Sequence, residues 1–286
     1  MRIAGIRTVL WCVALGFLAG GCSSSSSTPA PPAAPPHLYV TDSTGTLYAY
    51  TLPLTATSTP AVTVAAKTCV CQNAVFGGEL VSGLYVLTLP LTTTSTPAKT
   101  LTVTSSPIGA AIDSTGTIYL SENMSATCCA DVYQGGVTSP SFTLSGASVN
   151  DPYGAAVDTG NNLFLANVGT IGYFASPVHS GQAGIAFGRD SFNEGLVTDS
   201  SDNLYVADGN GKGTMDVYHP PYTAASMPAS TVSIPGTLEQ MAIGSDGTMY
   251  ITVETPNQID VLTPPYTTVS LVVPTTFLPY GVASGQ

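Results

Sequence analysis

From His37 to the end of the chain, apolar residues come in short runs, alternate with polar ones, and are cut off by Gly, Asp, Asn, Ser or Pro. One stretch, Pro107-Ile108-Gly109-Ala110-Ala111-Ile112, passes through Asp113-Ser114-Thr115-Gly116 into Thr117-Ile118-Tyr119-Leu120. The pattern returns over residues 152–165, 194–206 and 241–251. Alternating runs on either side of a polar turn predict a strand, a tight turn and a second strand in each copy. A second half-motif follows the first. Asp216-Val217-Tyr218-His219-Pro220-Pro221-Tyr222-Thr223 is echoed by Asp260-Val261-Leu262-Thr263-Pro264-Pro265-Tyr266-Thr267, and residues 47–55 and 84–92 play the same part earlier. Two half-motifs of two strands make a four-stranded unit.

Anchored on the second strand, the units fall at Leu38, Val75, Ile118, Leu163, Leu204 and Met249, with spacings of 37 to 45 residues. That is the spacing of four-stranded propeller blades, so the chain is expected to be all-β, a six-bladed β-propeller over residues 37–286. The second unit is degenerate, because residues 67–79 lack both the Pro-x-Gly opening and the Asp-x-x-Gly turn. The ends agree with a ring. The body starts on a second strand, His37-Leu38-Tyr39-Val40, and stops after Pro279-Tyr280-Gly281-Val282-Ala283-Ser284, which matches a first strand. Pairing the two closes the ring and removes two exposed sheet edges.

The repeat Pro-x-Gly-Ala-Ala-Ile/Val-Asp-x-x-Gly/Asn-x-Leu/Ile-Tyr/Phe resembles the NHL and related six-bladed propellers, a superfamily that also holds SMP-30 and gluconolactonase-like enzymes. The resemblance implies the fold; function has to be argued from a site. In the lactonase-like members it implies a divalent metal in the central channel, held by a Glu opening one innermost strand, by Asn in Pro-Asn-Gly openings and by an Asp. Glu194-Gly195 matches the Glu-Gly opening, but Ile108, Tyr153 and Tyr280 stand where the pattern has Asn. With only Glu194 and Glu239 offered at this mouth, a copied metal site is not expected, nor is any cofactor.

The first residues carry an address. Arg2 and Arg7 precede an apolar run over residues 8–18 that ends in Ala19-Gly20-Gly21-Cys22. A positive start, a short apolar run and small residues at a cut make a secretory signal over residues 1–21, and the run is too short to span the ~30 Å hydrocarbon core. Leu18-Ala19-Gly20-Gly21-Cys22 resembles the lipobox of bacterial lipoproteins, which implies a lipid on Cys22. Residues 22–36 then form a tether: past Cys22 it is Ser, Thr, Ala and Pro only, unable to build a core. The expected location is the bacterial cell envelope, lipid-anchored and facing the periplasm or exterior.

Charge narrows the partners. Loss of the signal leaves four basic residues against 17 acidic ones, a net charge of −13. Such a surface cannot neutralise phosphates, so nucleic acid is excluded and a monomer meeting a protein or carbohydrate ligand is expected. The recurring Asp113, Asp158 and Asp199 are expected to cap their own turns rather than form a carboxylate ring. Cys69, Cys71, Cys128 and Cys129 have poor spacing for zinc and are candidate disulfide cysteines of open connectivity. No nucleophile motif is present, and His37, His179 and His219 stand beside no recognisable nucleophile or carboxylate pair, so no catalytic residue is expected. The remaining candidate is the channel mouth. The residues following the opening position of each innermost strand include Tyr153, Glu194, Glu239 and Tyr280, a rim suited to a neutral polar or cationic ligand. The sequence thus favours a binding or scaffold module over the alternative, a metal-dependent lactonase-like or lyase-like enzyme.

Overall fold

In a computed structural model of the chain, the described residues are 35–65, 72–123, 129–188, 193–209 and 211–286. The signal segment, Cys22, Cys69, Cys71 and Cys128 lie outside them. The described residues form six four-stranded antiparallel sheets, arranged as the blades of a propeller. The innermost strands, which pack against one another round the axis, are Pro279–Gly285 in blade one, Asn73–Phe76 in blade two and Pro107–Ile112 in blade three. Those of blades four to six are Pro152–Val157, Asn193–Thr198 and Leu238–Ile243.

The ring closes through the chain's two ends. Pro279–Gly285 lies antiparallel to His37–Asp42, with Leu38 opposite Ser284, Tyr39 opposite Ala283 and Val40 opposite Val282. Blade two corrects one expectation. Its second strand is Glu79–Ser82, so the anchor there is Leu80; Val75 sits on the innermost strand and pairs with Leu80 across the hairpin. The hairpin turns on Gly77 and Gly78, both at positive φ (58° and 79°), a two-residue turn that matches strand twist and needs no Asp.

In blades three, four and five the turn Asp organises the hairpin. Asp113 Oδ1 accepts from Thr115 N and Thr117 N, both at 2.9 Å, while its Oδ2 accepts from the Tyr119 hydroxyl at 3.1 Å. Asp158 and Asp199 repeat the arrangement with the amides of Gly160, Asn162, Ser201 and Asn203. The left-handed position of the turn is Gly116 in blade three but Asn161 and Asp202 in blades four and five, at φ of 62° and 61°. These two side chains bridge blades: Asn161 Oδ1 accepts from Ser114 N at 3.0 Å, and Asp202 Oδ1 accepts from Thr159 N at 2.9 Å.

The core is not central but divided among the seams. Six buried clusters each straddle one pair of neighbouring blades. In five blades the third strand is followed by a cis proline, and the next residue fills the seam with the preceding blade: Leu54, Leu91, Val178, Tyr222 and Tyr266, all buried. Tyr222 meets Phe164 edge-on at 4.9 Å, and Tyr266 meets Tyr205 at 5.1 Å, the T-shaped geometry aromatic rings favour. The Pro-Pro-Tyr motif is therefore packing.

Near the axis, backbone meets backbone. A Cβ on Gly154 would lie 2.6 Å from the Glu194 carbonyl, and one on Gly195 would lie 2.5 Å from that of Glu239. The Gly near the start of the innermost strands of blades three, four and five is thus demanded by the next blade, while blade six carries Gln240 there.

Candidate functional site at the channel mouth

Every innermost strand but that of blade two slips register just after it begins. The ladder shifts between Pro107 and Gly109, Pro152 and Gly154, Asn193 and Leu196, and Leu238 and Met241. Such bulges drop a residue from the ladder and re-aim its side chain, and they fall where the sequence places the rim. Three rim residues on consecutive blades come together. The Tyr280 hydroxyl of blade one donates to Glu194 Oε1 of blade five at 3.1 Å, and the Glu194 carboxyl is within hydrogen-bonding reach of Glu239 on blade six. Tyr153 occupies the same opening on blade four, half-buried, the next position round the ring.

The glutamates are not surface groups. Glu194 and Glu239 are 6% and 5% exposed, and Oε2 of each is buried without a hydrogen-bond partner. Burial raises both carboxyls above the ordinary range; for Glu239, repulsion from Glu194 and Glu254 adds to it. Burial and the same carboxylates raise the Tyr280 phenol. Two adjacent buried carboxyls share a proton rather than carry two charges, and a cation could take that proton's place. Gln240 frames the pair: its Nε2 donates to the Glu194 carbonyl at 3.2 Å, and its amide N donates to Thr252 Oγ1 at 3.0 Å. Glu194 and Glu239 do not reproduce the metal donor set that the lactonase resemblance implies, since Ile108, Tyr153 and Tyr280 hold the Asn positions and one carboxyl is engaged by Tyr280.

Below this layer the channel is crossed by a residue that sequence reasoning missed. Gln72 of blade two reaches over the axis, where its Oε1 accepts from Ala155 N at 2.9 Å and its Nε2 faces the Leu196 carbonyl at 3.4 Å. On the far side of Gln72 a cavity of about 170 Å³ is walled by Ala110, Ala156, Ala242 and Ala283. The segment around Gln72 has no counterpart in the repeat, so no alignment signal singled it out.

A second acidic group lies in blade three. Glu122, Cys129 and Asp131 are buried, with ligating atoms within 4.8 Å of one another. Cys129 is disulfide-bonded, so this cluster offers two carboxyls and no thiolate. His179 and His219 are exposed and His37 is half-buried, with His219 Nδ1 2.6 Å from Asn203 Oδ1.

With fold and mouth in view, the chain is a six-bladed β-propeller, and solved structures agree on that class. It is similar to a chain of the nidogen–laminin complex at 14% identity and a TM-score of 0.68, covering 88% of this chain and 98% of that one. A functionally unknown protein from Desulfotomaculum acetoxidans is similar at 12% identity and a TM-score of 0.60, with 88% and 99% covered. Virginiamycin B lyase from Staphylococcus aureus follows at 16% identity and a TM-score of 0.51, with 86% and 87% covered. No protein-family profile matches the chain, and no curated protein does. Identities this low speak for the fold alone.

Proposed function

We propose that this is a cell-envelope lipoprotein whose propeller is a binding module, with its ligand met at the channel mouth by Tyr153, Glu194, Glu239 and Tyr280. The observation that carries the reading is the buried Glu194–Glu239 pair with Tyr280 bonded to it, a costly arrangement that packing alone does not require. The first-paired strand of blade one begins at His37, opposite Gly285, at the end of the blade away from Tyr280. The ligand chemistry this rim suits is a neutral polar or cationic group, as on a carbohydrate or a protein side chain, and the protein acts as a monomer.

A panel of neutral sugars and cationic peptides, titrated against the purified body, tests the site. Tyr153→Ala, Glu239→Gln and Tyr280→Phe are each expected to weaken the same ligand about tenfold or more, the effect of losing one good polar or stacking contact. Binding that survives all three and is lost instead on His219→Ala would move the site to the groove of about 570 Å³ between blades five and six. The anchor has its own test. Cys22→Ala is expected to release the protein from the membrane fraction, and unchanged processing and partitioning would refute the lipid assignment.

The second reading, a lactonase-like or lyase-like enzyme, is supported by the buried carboxyl pair and by a fold shared with virginiamycin B lyase. Stoichiometric calcium or zinc in the purified protein, with turnover of a lactone, would favour it.

A further inference from the structure

Blade five carries a histidine that the repeat does not ask for. In blades four and five an Asn closes the hairpin turn and gives the turn Asp a hydrogen-bond donor: Asn162 Nδ2 donates to Asp158 Oδ2 at 2.7 Å, and Asn203 Nδ2 to Asp199 Oδ2 at 2.9 Å. A carboxylate only accepts, so each amide turns its NH2 to the Asp and its carbonyl oxygen away from it. In blade four that oxygen accepts from Ser176 N at 2.8 Å. Blade five has Pro220 at the same place, just before the cis proline, and proline has no N–H. The His219 ring takes over: its Nδ1 stands 2.6 Å from Asn203 Oδ1 and has to be the donor. A neutral imidazole that carries its proton on Nδ1 presents a bare lone pair on Nε2. His219 is exposed, and its Nε2 meets no hydrogen-bonding group among the described residues.

His219 lines the groove of about 570 Å³ between blades five and six. Its walls are mostly apolar, with Val217, Val232, Pro264 and Pro265, and Ser230 and Thr267 add hydroxyls. That size, and an apolar wall with a few placed polar groups, are those of small-molecule sites. The Asp199 carboxylate also borders the groove but is spent on its turn, accepting from Ser201 N, Asn203 N and the Tyr205 hydroxyl as well as from Asn203 Nδ2. The groove is remote from the mouth: Glu194 lies near the start of the strand Asn193–Thr198, and Asp199 follows its end. We propose that the groove is a second binding site, for a small phenol whose hydroxyl donates to His219 Nε2 and whose ring lies against Pro264 and Pro265. Asn203 is the positioning residue that fixes the tautomer. No Lys or Arg among the described lining residues could meet an anion, and a sugar would lay several hydroxyls on apolar walls. A phenol asks for one acceptor and an apolar bed, and the groove offers both.

The test has two readouts on the purified full chain at pH 8. Long-range proton–nitrogen spectra with isotope-labelled histidine are expected to show His219 as the Nδ1–H tautomer. Blades one, three and six carry Thr46, Thr117 and Thr248 where blade five has Asn203, so Asn203→Thr suits the turn while removing the amide carbonyl. It is expected to move His219 toward the Nε2–H form, which a merely structural role for Asn203 would not do. Calorimetric titration is expected to show saturable binding of phenol, with anisole, which keeps the ring but has no donor, about fivefold weaker or more. His219→Ala and Asn203→Thr are each expected to weaken phenol by about the same factor and to leave anisole unchanged. The wild-type tautomer and the phenol–anisole comparison need no variant to fold. An Nε2–H tautomer in the wild type, no saturable binding of phenol, or equal affinity for phenol and anisole would overturn the proposal. So would phenol binding that persists in His219→Ala and is lost in Glu239→Gln, a result that would assign phenol to the mouth and leave that reading standing.

Discussion

Deletion of residues 279–286 is expected to destroy the fold, leaving a chain that melts without a cooperative transition or elutes as aggregate. That segment is the innermost strand of blade one. It supplies Val282 to the seam with blade six and Ala283 to the seam with blade two, both buried. Its backbone pairs with His37–Asp42 over five positions, and Gly281 N also donates to Thr41 Oγ1 at 3.1 Å. Tyr280, bonded to Glu194, would go with it. At about 1 kcal/mol for each hydrogen bond and about 2 kcal/mol for a buried Val, the loss is on the order of 10 kcal/mol. A domain has only about 5–15 kcal/mol to lose. The deletion also bares the edge of His37–Asp42, a template for pairing with other chains. Circular dichroism melts and size-exclusion chromatography decide the matter. A truncated protein that stays monomeric and melts within a few degrees of the full chain would show that ring closure contributes little.

How much of this was legible beforehand depended on whether a residue obeyed the repeat. Pro-x-Gly and Asp-x-x-Gly recur because adjacent backbones must approach at Gly154 and Gly195 and because one carboxylate satisfies two turn amides, so blade number and closure followed from the pattern. The rim was legible for the same reason: Glu194, Glu239 and Tyr280 hold one register position on three blades, and the structure joins them. Position alone did not show that the glutamates lie under the surface as a proton-sharing pair. Where the pattern lapsed, so did inference. In blade two the Gly77-Gly78 turn replaces the Asp turn, which displaced the anchor from Leu80 to Val75. Gln72 belongs to no repeat, and its partners Ala155 and Leu196 are over 80 residues away in sequence. Glu122 and Asp131 look like ordinary strand-end and strand residues until the hairpin brings them together. Pro-Pro-Tyr was visible as a motif, but only the seams show that Tyr222 and Tyr266 face inward.

The protein is expected to be most stable in mild acid, near pH 4 to 5, and to weaken steadily toward pH 8. Two sets of carboxyls set the sign. For Asp42, Asp113 and Asp199, burial works toward raising the carboxyl, but hydrogen bonds from turn amides, hydroxyls and, for Asp199, Asn203 outweigh it, and the folded value lies below the ordinary 3.8. Their contribution is present above that value and is lost as pH falls through the folded one. The other set runs the opposite way. Burial pushes Asp260 up to about 6 and, with Asp131, Glu122 up to about 8; Glu194 and Glu239 are raised as a coupled pair. These groups keep protons in the fold that the unfolded chain has already released near 4 to 4.5. Their contribution is therefore full below the unfolded values and is lost as pH rises through the folded ones, from about 6 for Asp260 to about 8 for Glu122. With a few kcal/mol at stake and about 2–4 °C per kcal/mol for a domain of this size, the melting temperature should drop by on the order of 10 °C between pH 5 and pH 8. General repulsion among the excess acidic residues pushes the same way, so variants are needed to assign the slope. Glu239→Gln and Glu122→Gln replace a carboxyl that must hold its proton with an amide that has none to lose. Each should flatten the slope and, at pH 8, raise the melting temperature rather than lower it. A wild-type melting temperature that is flat or climbs between pH 5 and 8 would mean that these carboxyls ionise freely in the fold, and with that the shared proton at the mouth would have to be given up.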